Sequence, residues 1–334
     1  MIGACSMATF KIYKLHFISP LHLGDARDDY GVSLQTIASD TMYAALTSCL
    51  AKLGNTIPDN GDLNCTISSL FPFYQKDEKC ENTVLFFPKP LKQKLPALDN
   101  IDDRKKIKKV SWIDAAFFSK VLNGETLFVK GSDDVNCIKG SFLTSKDVDK
   151  DFIVSQVSQR VSVSRDGQTD AEPFYMDRVS FKGKSGLFFI AEGDCTLLER
   201  ALKLLQFEGI GTDRNVGNGF FTYEPDSFEI ELPDSSDFAL SLSSFIPESK
   251  AQLTDLISDD SVAYEFQRRG GWITTPPFNT FRKNVVYAFV SGSVFKKAIS
   301  SAEVMGNIVN LKPKSVPAHA IWRCGKSIFL PIKF

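Results

Sequence analysis

Gly209-Ile-Gly-Thr-Asp-Arg-Asn-Val-Gly-Asn-Gly219 is the stretch on which the reading of this chain turns. An apolar segment with helical spacing, Leu197 to Phe207, runs into it, and a strand-like segment, Phe220 to Tyr223, leaves it. A nucleotide-binding P-loop or a Rossmann fingerprint has the opposite order, because there the helix follows the glycine loop and turns its N-terminus toward the phosphate. The Gly-Lys-Ser/Thr ending that would hold a nucleoside triphosphate and its magnesium ion is also missing. Four glycines bracketing one arginine remain. Glycine lets backbone N–H groups approach a phosphate with no Cβ in the way, and Arg214 offers a planar, permanently charged fork for phosphate oxygens. The loop therefore reads as a nucleic-acid clamp built on Gly209, Gly211, Arg214, Gly217 and Gly219. A glycine-rich connection with no ligand is the competing reading.

Upstream, residues 159–179 form a polar excursion too long for a tight turn, with Arg160, Arg165 and Arg178 around Phe174-Tyr175-Met176. A projecting hairpin of that composition can hold phosphates with its arginines while its aromatic and methionine tip wedges against bases. An ordinary surface hairpin is the alternative. Nearer the start, Phe10 to Ile18 alternates as a strand and is broken by Ser19-Pro-Leu-His-Leu-Gly-Asp25. A helix follows, with Ser39 as N-cap, Met42, Ala45, Leu46, Cys49, Leu50 and Leu53 on one face, and Gly54 as its stop. Strands are predicted at 84–87, 156–163 and 186–191, and helices at 112–122 and 197–207. This order predicts an α+β fold with a ferredoxin-like sheet carrying insertions over residues 1–225. After Pro225 a strand (238–245), a helix (250–257) and strands at 285–290, 307–311, 320–323 and 328–332 predict a second domain, 226–334.

At 334 residues and 43% hydrophobic composition the chain can bury a substantial core in two domains. No apolar run reaches the roughly 18 residues of a membrane span, and the opening Met-Ile-Gly-Ala-Cys-Ser-Met lacks a basic region followed by an apolar core. The expectation is a cytoplasmic protein without membrane contact. Seven scattered cysteines, never spaced Cys-x-x-Cys, and only three histidines argue against a disulfide framework, a metal site or a bound cofactor. A net charge of −1 conceals a polarity: from Phe266 onward eleven Lys/Arg face Glu303 alone, whereas the preceding residues hold 28 basic and 39 acidic side chains. The basic part can attract phosphate and the acidic part can meet a basic protein neighbour; scattered lysines alone are equally well read as solvated surface.

Several segments together resemble one family. They are Ser19-Pro-Leu-His22-Leu-Gly24 followed by Ser39-Asp40-Thr-Met-Tyr43-Ala-Ala-Leu46; Arg160-x-Ser-x-x-Arg165 with Phe174-Tyr175; the glycine loop; Arg269-Gly-Gly-Trp272; Tyr287-x-Phe-x-x-Gly292-Ser-Val-Phe295; and His319-x-Ile-Trp322-Arg323-x-Gly325. In order and spacing they resemble the RAMP superfamily, specifically the subunit of type III-A CRISPR effector complexes that holds the 5′ end of the guide RNA. The glycine loop departs from the family's commoner form by placing Thr212-Asp213 before Arg214, and an aspartate repels a phosphate.

The resemblance implies two ferredoxin-like (RRM-related) domains packed face to face, with an inserted β-hairpin thumb at about 159–179. It implies binding of the repeat-derived 5′ tag of the CRISPR RNA, with His22, Gly24, Ser39, Asp40, Arg269 and Arg323 joining the loop and thumb residues at the RNA. It also implies a large signature subunit and a backbone RAMP subunit as neighbours, target RNA near the thumb, and no catalysis by this chain. Two alternatives stay open. One is a metal-independent guide-RNA endoribonuclease using His22 as general base near Tyr30 and Tyr43; the other is the equivalent subunit of a type III-B complex. A Gly-x-Ser-x-Gly elbow and a His-Glu-x-x-His helix are both absent. The run Arg104-Lys-Lys-Ile-Lys-Lys109 reads as a solvated face.

Overall fold

The computed structural model describes residues 5–24, 30–77, 83–93, 100–129, 132–163 and 170–334. The chain enters through β1 (Cys5–Phe17), α1 (Ser39–Lys52), β2 (Cys65–Ile67), β3 (Phe71–Tyr74) and β4 (Val84–Pro88). Next come α2 (Ile101–Lys109), β5 (Trp112–Asp114), α3 (Ala115–Leu122) and the short strands β6 (Ile138–Lys139) and β7 (Phe142–Leu143). A long hairpin, β8 (Ile153–Ser162) and β9 (Glu172–Phe181), precedes β10 (Gly186–Gly193), α4 (Thr196–Glu208) and β11 (Phe221–Pro233). The remainder consists of β12 (Ser236–Ser241), α5 (Lys250–Leu256), β13 (Phe266–Arg269), β14 (Val286–Phe289), β15 (Val294–Ile299), β16 (Glu303–Met305), β17 (Ile308–Asn310), β18 (Trp322–Cys324) and β19 (Ser327–Ile332). The fold is α+β, with few helices and many strands, and no helix among the described residues is long and apolar enough to cross a membrane.

The main sheet runs β11-β1-β10-β3-β4-β5-β7-β6, with β2 also pairing β10. Strands β11, β1, β10 and β2 are mutually antiparallel along this order, α1 connects β1 to β2, and α4 connects β10 to β11. Alternation explains why the sheet lies between two layers. Tyr13 and Leu15 of β1 and Leu187, Phe189 and Ala191 of β10 enter one core with Met42, Leu46 and Leu50 of α1 and Leu198, Leu202 and Leu205 of α4. The opposite parity, Phe10, Ile12, Phe188 and Ile190, enters a second core with Phe117 and Phe118 of α3 and with Leu240, Val294, Ile328 and Leu330 of the C-terminal sheet. That sheet, in the order β15-β12-β19-β16, turns Ala239, Phe295 and Phe329 toward Leu256 of α5. The two sheets thus share one core.

Three sequence expectations shift. The boundary expected between 225 and 226 falls inside β11, which stays paired with β1 as far as Pro233. The helix expected at 112–122 begins as β5, because the Asp114 carboxylate accepts from the Phe117 N–H as N-cap and releases the chain into α3 only there. The N-cap of α1 is Ala38 rather than Ser39, since the Ser39 hydroxyl instead accepts from the Ser244 N–H at 2.8 Å. The charged run at 104–109 lies within α2, where Ile107 is a buried residue, so almost no apolar periodicity announces this helix. Cys49, Cys65, Cys137, Cys195 and Cys324 are free thiols.

Candidate nucleic-acid interface

A cavity of about 750 Å³ opens where the start of α1 meets the C-terminal part. Gly24, Ala38 and Thr41 line one side, and Arg268, Arg269, Gly271, Trp272, Arg282 and Arg323 line the other. Its floor is an ion-pair network around Asp40, whose side chain is fully buried in the first turn of α1. Arg269 grips this carboxylate as a fork, Nε to Oδ2 and Nη2 to Oδ1, both at 2.6 Å. Arg323 Nη1 donates to Oδ2 at 2.8 Å, and Arg269 Nη2 also reaches the Thr41 hydroxyl at 2.8 Å. Burial pushes the Asp40 carboxyl upward, but Arg323 and Arg269 outweigh it and hold the group below the ordinary carboxylate range. Asp40 and Ser39 are therefore internal fasteners between the two parts of the chain, with no free face for RNA. Gly24, Arg269 and Arg323 do reach the cavity wall, and Arg282 stacks on the Trp272 ring at 4.8 Å beside them.

In the glycine loop the structure separates glycines that close the fold from one that does not. A Cβ on Gly219 would lie 1.9 Å from the Ile210 carbonyl oxygen, and one on Gly211 would lie 2.4 Å from the His22 carbonyl oxygen. Gly209 is similarly tight against the Asn218 carbonyl, 2.9 Å away. The Thr212 N–H donates to the His22 carbonyl and the Gly219 N–H to the Pro20 carbonyl, sewing the loop to the segment after β1. Gly217, with φ +96°, has open space where a side chain would be. Arg214 is exposed and folds back, its Nη1 donating to the Gly209 carbonyl at 3.4 Å. Asn218, which no local motif singles out, is 1% exposed, and its Nδ2 has no acceptor among the described residues. Backbone N–H groups of this loop are therefore largely spent internally, and the surface it offers is the exposed run from Arg214 to Gly217, with Arg214 its cation.

The hairpin of β8 and β9 carries the next group. Arg160 pairs with Phe174 and Gln159 with Tyr175 across the ladder, so the aromatics sit along the strand instead of at the tip. Met176 is fully buried, which removes it from any exposed wedge; Tyr175, 62% exposed, is the free aromatic. Phe174 is half-buried against Tyr30, and Arg178 donates to the Ser158 hydroxyl at 3.2 Å. Arg165 lies outside the described residues. At the hairpin base, Asp177 accepts from the Ser155 hydroxyl and the Ser33 N–H, while its backbone carbonyl takes His22 Nδ1 at 2.7 Å. His22 is 1% exposed and stacked on Tyr30. In this structure the imidazole proposed as general base is covered, with its Nδ1 committed to a carbonyl. His22 and Asp177 anchor the hairpin. Asp177, 155 residues from His22, was invisible to local motif reading.

Residues 234–332 match the family model described as the CRISPR Csm4 C-terminal domain. Over 334 aligned residues the chain is 25% identical to a Streptococcus thermophilus protein named CRISPR system Cms protein Csm4, covering 97% of this chain and 99% of that one. The chain is a Csm4 homologue. A Mycobacterium tuberculosis protein of the same name is 24% identical over 283 residues, 80% of this chain and 84% of the relative. Among solved structures, a chain of a Csm1-Csm4 cassette in complex with cA4 superposes with a TM-score of 0.58 at 17% identity, covering 98% of both chains. A chain of a Csm3-Csm4 subcomplex of the type III-A CRISPR-Cas interference complex gives 0.56 at 17% identity, covering 98% of this chain and 100% of that one. These two likenesses concern the fold, which this chain shares over nearly its whole length.

Proposed function

We propose that this Csm4 homologue is a non-catalytic subunit of a type III-A CRISPR effector, one that holds the 5′ tag of the CRISPR RNA and docks on a Csm1-type large subunit. The observation that carries the reading is end-to-end similarity to the Streptococcus thermophilus Csm4, together with an arginine-walled cavity that joins the two parts of the chain. A Csm3-type backbone subunit is the second neighbour, as the composition of the solved subcomplex suggests. The antiparallel β11-β1-β10-β2 order with α1 and α4 as crossovers is what a ferredoxin-like domain requires, and we take the C-terminal sheet as a diverged second copy beginning after Pro233. In this reading the β8–β9 hairpin is the thumb, and Tyr175 is the side chain it presents to target RNA.

The RNA surface then consists of Arg214 and Gly217 on the glycine loop, the exposed side of the hairpin, and the arginines of the cavity. Buried His22 supports a binding role over the endoribonuclease alternative, since the residue proposed as base is structural. Co-expression with a Csm1-type subunit and a repeat-containing guide tests the proposal. A heterodimer that forms without RNA and retains the tag is expected, with the precursor left uncut by this chain alone. Failure to associate with the large subunit, or defined cleavage by the isolated chain, would overturn it.

A further inference from the structure

Two thiols far apart in sequence meet at the end of the main sheet. The β2–β10 ladder closes on the pair Cys65 and Gly193, and the chain then turns into α4, whose N-cap is Cys195. The turn is tight: Gly193 has φ +98°, and a Cβ there would lie 2.4 Å from the Asn64 carbonyl oxygen and 3.6 Å from the Cys65 Cα. The Asp194 N–H donates to that same carbonyl at 3.0 Å. Cys195 folds back over the turn, its Sγ 3.6 Å from the Gly193 carbonyl oxygen, and the Cys65 and Cys195 thiols hydrogen-bond to each other. Both are free, with Cys195 8% and Cys65 4% exposed. Their surroundings treat them differently. The contact with Cys65, joined by the Tyr13 hydroxyl and the Lys11 ammonium, outweighs burial at Cys195 and holds its thiol below the ordinary range, whereas the same contact and burial push Cys65 up. Lys11 pairs at 2.7 Å with Glu199 in the first turn of α4, and both side chains are partly exposed, so the thiols lie beside groups that solvent reaches.

We infer that Cys65 and Cys195 are a redox pair, which a peroxide converts into a disulfide that ties β2 to the start of α4. Cys195 is the attacking sulfur, because a helix N-terminus and a neighbouring ammonium both favour a thiolate there. Its thiolate bonds to one peroxide oxygen as the O–O bond breaks, giving a sulfenic acid, and the hydroxide released takes up the proton that the thiol had lost. The Cys65 sulfur then attacks the sulfenic sulfur. An S–S bond forms, the S–O bond breaks, and the hydroxyl leaves with the Cys65 proton as water. Together the thiols lose two electrons, and one peroxide is reduced to two waters. Cys324 also interacts with Cys65, but burial pushes its thiol up to about 12, which makes it a poor competitor for either role. The pair is independent of what the chain binds.

The test uses the full chain, reduced and then titrated with hydrogen peroxide, its remaining thiols blocked with N-ethylmaleimide and its unreduced digest read by mass spectrometry. A peptide joining Cys65 to Cys195, two hydrogens lighter than the sum of its parts and lost on treatment with dithiothreitol, is expected. It should form at peroxide doses that leave the half-buried Cys137 open to maleimide. In Cys65→Ser, dimedone should trap a sulfenic acid on Cys195; in Cys195→Ser it should leave Cys65 unlabelled. The wild-type cross-link decides the pairing even where a serine variant fails to fold. Amide exchange in the first turn of α4 should slow in the oxidised chain and recover on reduction. A Cys65–Cys324 bridge, or no bridge at doses that already oxidise Cys137, overturns the pair. Dimedone on Cys65 in place of Cys195 overturns the assigned roles, and exchange unchanged by oxidation overturns the fastening of α4.

Discussion

The glycine loop and the cavity at α1 use opposite means to present cations. In the loop, eleven consecutive residues spend most of their special geometry on closing against themselves and the segment after β1, leaving Arg214 exposed on a nearly self-satisfied scaffold. In the cavity, the partners of Asp40 lie 229 and 283 residues away along the chain, and three otherwise unremarkable side chains form a buried network only because two sheets share a core. A motif dense in one stretch of sequence can thus be mainly architectural, while the electrostatically demanding site is assembled from residues with no local signature. Part of the charge polarity along the chain is likewise spent inside the fold, since Asp40 with Arg269 and Arg323, and Asp62 with Lys326, join the acidic part to the basic one.

The largest effect that would sharpen this contrast comes from the cavity floor. Asp40→Ala leaves two mostly buried guanidiniums without their carboxylate and should cost about 3–5 kcal/mol in urea unfolding; a loss under about 1 kcal/mol would break the idea that Asp40 fastens the halves. Because the folded-state carboxyl is depressed, its contribution is fully present above the unfolded carboxylate range and disappears as pH falls through the folded value. The acid-side decline of stability should accordingly be steeper in wild type than in Asp40→Asn.

Next in size is the hairpin. Met176→Ala, at a fully buried position, should cost about 2–5 kcal/mol, whereas Tyr175→Ala should change stability by less than about 0.5 kcal/mol. Equal costs in thermal unfolding would mean that the two faces of β9 are not distinguished as the structure has them.

Within the glycine loop, Gly219→Ala must displace the Ile210 carbonyl and should cost roughly 3 kcal/mol, while Gly217→Ala meets only the penalty of a left-handed backbone, roughly 1 kcal/mol. The reverse order would show that the loop closes by other contacts. Smallest of all is Arg214→Ala, which should leave stability within about 0.5 kcal/mol and weaken tag RNA binding a few-fold, most clearly at low salt. A loss exceeding that of Arg282→Ala would return the main RNA contact to the loop.

Periodicity and punctuation by themselves determined the α+β class, the central strand β1, the helices α1, α4 and α5, the strands β10 and β19, and the position of the glycine loop, because each rests on neighbours within about one turn or one strand. The motif order also pointed to the right family. Elements with weak local pattern escaped: α2 carries Ile107 amid seven basic or acidic side chains, and β2, β5, β6 and β7 are two or three residues long and exist only through their pairing partners. The site followed the same rule. Arg214, Tyr175 and the arginines after Phe266 were legible as cations and aromatics, since composition displays them directly. Tertiary structure alone decided that His22, Asp40 and Met176 are buried and that Asp177 anchors the hairpin. It also decided that Arg269 and Arg323 converge on one carboxylate, because burial and long-range charge pairing depend on which surfaces the folded sheets bring together, and no window of sequence contains that information.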